Sequence, residues 1–81
     1  MPESKTSESI TLLDILKEAI QKEHASYDYY HRAASVAVRP AAKKMFLKLA
    51  EMEKGHAGEL MRHLSDLEAQ IQVDKALTSS F

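Results

Sequence analysis

A chain of 81 residues with 44% hydrophobic content makes one small domain. Eleven bases are interspersed with twelve acids for a formal net charge of -1, which excludes a nucleic-acid surface or a polybasic membrane contact. Cysteine is absent, so disulfides, zinc–thiolate sites, iron–sulfur clusters and thiol catalysis are excluded as well.

Residues 1–9 are polar and are expected to form a disordered leader, since they offer no apolar surface to offset the entropy of ordering. They lack the apolar centre of a signal peptide, and no apolar run approaches the roughly 20 residues of a membrane span. The expectation is a soluble, cytoplasmic protein. A first helix is predicted from about residue 11 to 38. Thr11 is placed to cap it, with Asp14 three residues on and Ile10 able to staple onto Ile15. Arg39-Pro40 is the one strong break, because proline suits a first helical turn and drives the preceding residue out of helical geometry. A second helix is predicted over about 40–71, running through Gly55 and Gly58, and residues 72–81 read as a frayed tail. The fold class is therefore all-α, an antiparallel two-helix hairpin. Two helices share one seam and cannot enclose a core, so a chain this short needs a metal or a partner. The expected partner is a second copy, giving a homodimeric four-helix bundle.

Steps of three and four along the first helix trace Leu13, Leu16, Ile20, Glu23, Tyr27, Tyr30, Ala34 and Ala37. The same steps along the second trace Ala42, Phe46, Leu49, Glu53, His56, Leu60, His63 and Leu67. Both seams are apolar at the ends and ionisable in the middle. Glu23 lies 16 residues before Arg39, and Glu53 and His56 lie 13 and 16 after Pro40. At about 1.5 Å per residue, all three stand roughly 20–24 Å from the turn, so they converge at one level of the hairpin. A two-fold dimer would bring four carboxylates and two imidazoles to that layer. Buried carboxylates at that density cost several kcal/mol each, and two divalent cations would neutralise the four charges. Glu53 and His56 stand three apart on one helix face and can reach one centre. Mixed oxygen and nitrogen donors suit two iron ions per dimer, with manganese the alternative.

At these residues the chain resembles the ferritin-like superfamily, in its rubrerythrin and encapsulated-ferritin branches. The first-helix stretch is Glu23-His-Ala-Ser-Tyr-Asp-Tyr-Tyr30; the second is Phe46-Leu-Lys-Leu-Ala-Glu-Met-Glu53-Lys-Gly-His56. The resemblance covers roughly residues 12–70. It implies that Glu23, Glu53 and His56 are metal ligands and that Tyr30 donates to a ligand carboxylate and takes part in catalysis. It also implies dioxygen or peroxide as co-substrate. The chain departs from full rubrerythrins in having two predicted helices and no cysteine-bound iron. It departs from encapsulated ferritins in placing Lys22, His24 and Ala25 beside Glu23, where that branch carries further acidic residues.

The leading reading is a non-haem dimetal oxidoreductase of ferroxidase or peroxidase type. Two others stand beside it: an iron-sequestering protein without turnover, and a helical dimerisation module with a polar layer. Tyr27 reads first as a core residue, His63 as a core-edge histidine, and His24 and His31 as solvated. The tail Lys75–Phe81 reads first as a frayed end and second as a docking segment for a container shell.

Overall fold

In the computed structural model, residues 5–79 are described, with side chains over 11–78. Helix α1 spans Lys5–Val36 and helix α2 spans Pro40–Ser79, joined by residues 37–39. The chain is a two-helix hairpin, as its pattern predicts. The Ala37 N–H donates to the Ala33 carbonyl, closing α1, and the Lys43 N–H donates to the Arg39 carbonyl, opening α2 with Pro40 at its first position. Among the described residues, no helix is long and apolar enough to cross a membrane.

Both helices run further than their end signals indicate. Residues 5–9, expected as a disordered leader, belong to α1, and residues 72–79, expected as a frayed tail, continue α2. Thr11 is thus an interior residue and not the cap; the side chain of Ile10 lies outside the described residues. Lengthening an existing helix avoids the cost of nucleation, and neither stretch holds glycine or proline to stop it.

The α1 seam is the predicted one. Leu13, Leu16, Ile20, Glu23, Tyr27, Tyr30, Ala34 and Ala37 are all buried or half-buried. The α2 seam is turned from the prediction. It runs Phe46, Ala50, Glu53, Ala57, Leu60, Leu64, Leu67 and Ile71, a strict alternation of four and three, with Ala50 and Ala57 fully buried. His56 and His63, predicted on the seam, are exposed at its edge. The two candidate lines share Phe46, Glu53, Leu60 and Leu67. Alanine wins the contested positions because a small side chain lets the helix backbones approach closely; on α1 the buried residues are Ile20 and Ala34.

The product is long and thin, with extents of 64 × 25 × 11 Å. Its accessible surface is 6603 Å². A compact monomer of 9.1 kDa exposes roughly 4,900 Å², so much apolar surface that a globule would bury stays open here. Leu12, Ile15, Tyr29, Val36, Met45 and Met52 are each 43–77% exposed.

Candidate metal centre

Glu23 enters from α1, and Glu53 and His56 from α2 one helical turn apart. Their donor atoms lie within 4.8 Å of one another. His56 Nδ1 stands 3.7 Å from Glu23 Oε2 and 3.6 Å from Glu53 Oε1. The residue count placed these three groups at one level, and the helices bring them together there. Glu23 and Glu53 are three-quarters buried, while the His56 side chain is half exposed. The imidazole therefore closes the cluster from the open side of the hairpin.

Glu23 Oε2 is buried and has no hydrogen-bond partner. An acceptor taken out of water without a partner costs about 1–3 kcal/mol, more when charged, so this atom calls for a proton or a cation. The Glu23 carboxyl is held above its ordinary pKa of 4.5 by a hydrogen bond shared with the Glu53 carboxyl, then by desolvation and by the Glu53 charge; His56 opposes these. Two carboxylates and an imidazole on one small gap, one oxygen of them orphaned, form a donor set that a divalent transition metal would satisfy. The residues fit such an ion.

Along α1 beyond Glu23, the Tyr27 ring lies 4.6 Å from that of His31. Tyr30 stacks on Phe46 across the seam, with ring centroids 6.5 Å apart and planes at 20°, and meets Tyr29 edge-on at 5.5 Å. Tyr30 is thereby fixed in the layer between the cluster and the turn. His24, His31 and His63 are exposed and take no part in the cluster. Ala50 and Ala57 are the site-shaping residues that sequence reasoning missed. They set the rotation of α2 that presents Glu53 inward and His56 to the side, and their spacing of seven was the available signal.

A helical hairpin carrying a two-carboxylate, one-histidine cluster at mid-length defines a ferritin-like protein. Consistent with that class, the rubrerythrin family profile matches residues 14–80. The chain belongs to the rubrerythrin family, and with it to the di-iron carboxylate proteins. Comparison with curated proteins and with solved structures finds no match.

Proposed function

We propose that this protein is a non-haem di-iron oxidoreductase whose centre is completed between two copies of the chain. In this reading Glu23, Glu53 and His56 of each copy supply six ligands for two iron ions, manganese being the alternative metal. The observation that supports it best is the convergence of three donors from two helices within 4.8 Å around an orphaned carboxylate oxygen. One hairpin supplies half of a ligand set, and His56 faces out of it toward where the other half would stand.

Bound iron supplies one-electron chemistry, with dioxygen or peroxide as the oxidant and Fe(II) oxidation or peroxide removal as the outcome. The chain does the rest. Glu23 and Glu53 neutralise the cations, and Glu23, whose pKa is raised without metal, would coordinate as the carboxylate. His56 coordinates as the neutral imidazole. Tyr30 is assigned the catalytic side role. Helical side chains lean toward the N-terminus, which would direct its hydroxyl toward the Glu23 end of the seam, where it could donate to a ligand carboxylate. Phe46 holds the ring in place.

Metal analysis combined with light scattering tests this. The expected result is a dimer, or a multiple of dimers, holding two irons per pair of chains and consuming dioxygen or peroxide on addition of Fe(II). A metal-free dimer of unchanged stability would instead mark a structural dimerisation module. Iron held without any oxidant consumption would mark a sequestering protein.

A further inference from the structure

We infer that the turn end of the hairpin is a docking surface for an acidic segment of another protein that carries an apolar anchor. The whole-chain charge of -1 hides a segregation. Residues 29–50, on both sides of the turn, hold Arg32, Arg39, Lys43, Lys44 and Lys48 and no acid; all twelve acids lie outside that stretch. Among the described residues, none of these five bases forms an ion pair. Five uncompensated cations within about 20 Å of the turn give that end a positive potential, which steers anionic partners toward it.

An apolar groove lies beside these charges. Tyr29, Arg32, Ala33 and Val36 line a depression of about 390 Å³. The four positions stand three and four apart, so they form one stripe along α1. Arg32 and Val36 each follow a seam residue, Tyr30 and Ala34, by two positions, which turns them about 200° away from it. The groove therefore opens on the outer face of α1, away from α2. Tyr29 is 59% exposed, Val36 77% and Val38, in the turn, 94%. Apolar exposure grouped in this way and rimmed by charge marks an interaction site.

The chemistry selects the occupant. The Arg32 guanidinium offers a paired contact to a carboxylate, while the Tyr29 ring and Val36 flank space for an apolar side chain. Tyrosine and arginine are also the residue types that most often anchor protein contacts. A bilayer against the turn would reach Val38 and leave Tyr29, about 13 Å back along the axis, uncovered. A nucleic-acid backbone calls for a row of bases, and Arg32 is the one base lining the groove.

The probe is a short fluorescein-labelled peptide that alternates glutamate with leucine and phenylalanine, added to the full chain and read by anisotropy. One companion peptide replaces its apolar residues by glycine, and another replaces its glutamates by lysine. The first peptide should bind, and each companion should bind at least about tenfold more weakly. Arg32→Glu and Val36→Ser, both exposed and off the seam, should each weaken binding about tenfold. Lys75→Glu, the same charge change at the open end, should shift it less than about twofold. Equal binding of the glycine companion would reduce the site to unspecific charge and overturn the inference. So would failure of the first peptide to bind at low salt. Vesicles of phosphatidylserine and phosphatidylcholine are titrated in parallel, and a chain that binds them but not the peptide has a membrane surface instead, which also overturns it.

Discussion

Nδ1 of His56 stands 3.7 Å from Oε2 of Glu23, across the gap between the two helices, and that oxygen has no hydrogen-bond partner. The imidazole is near enough to share a cation with the carboxylate. The first expectation follows directly. Each ligand appears twice per dimer, so Glu53→Ala or His56→Ala removes two of six ligands. Either should abolish stoichiometric iron binding and Fe(II) oxidation together. Glu51→Ala and Glu59→Ala, on the same helix and exposed, should leave both nearly unchanged. Anaerobic Fe(II) titration followed by admission of oxygen reads binding and rate from one sample. Wild-type iron content in Glu53→Ala would move the site elsewhere.

Metal should act on stability by mass action, since it binds the folded dimer and not the unfolded chain. Chelation is expected to lower the melting temperature of the wild type. It should not lower that of a chain carrying Glu23→Gln, Glu53→Gln and His56→Leu. With metal removed, the order reverses: the triple variant should melt above the wild type, because the clustered carboxylates no longer repel. Calorimetry of both chains, each with and without chelator, gives all four values.

Glu23 also makes the metal-free protein sensitive to pH. Its folded pKa is raised above 4.5, first by the hydrogen bond shared with Glu53. An acid so shifted binds its proton more tightly when folded. Its contribution to stability is fully present below the unfolded pKa and is lost as pH rises through the folded one. Metal-free wild type should therefore lose melting temperature relative to Glu23→Gln as pH rises from 4.5 upward. Parallel curves for the two chains would contradict the shared proton.

Tyr30→Phe keeps the ring that stacks on Phe46 and deletes one hydroxyl. Iron content and melting temperature should hold, while the rate of Fe(II) oxidation falls or its product changes. Stopped-flow absorbance after mixing the ferrous protein with oxygen is the measurement. An unchanged trace would reduce Tyr30 to a packing residue.

Gly58 is exposed in the middle of α2 at a negative φ, and a Cβ built there meets nothing within 4 Å. Gly58→Ala should stabilise the fold by about 1 kcal/mol through helix propensity. For a chain of this size that corresponds to a rise of about 4–8 °C in melting temperature. A fall would reveal a close contact at Gly58 in the assembled protein.

The hairpin, the whole α1 seam and the common level of Glu23, Glu53 and His56 were legible in the residues alone. Counting along a helix measures distance, because the rise per residue is constant, and Pro40 marked the zero from which both arms are counted. The ends were less legible. A capping signal at Thr11 has no force when the residues before it can simply extend the helix.

Steps of three and four pointed to His56 and His63 as members of the α2 seam, beside Leu49, which is half-buried as expected. Only close packing could show that Ala50 and Ala57 take those places, because backbone approach depends on side-chain size across the gap and not on the polarity of one strip. That rotation of α2 was the decision left to tertiary structure. It turns His56 out of the seam to one side of the hairpin and leaves Glu23 Oε2 buried without a partner. Chain spacing thus determined which three residues share a level, while the packing of two alanines decided which way they face.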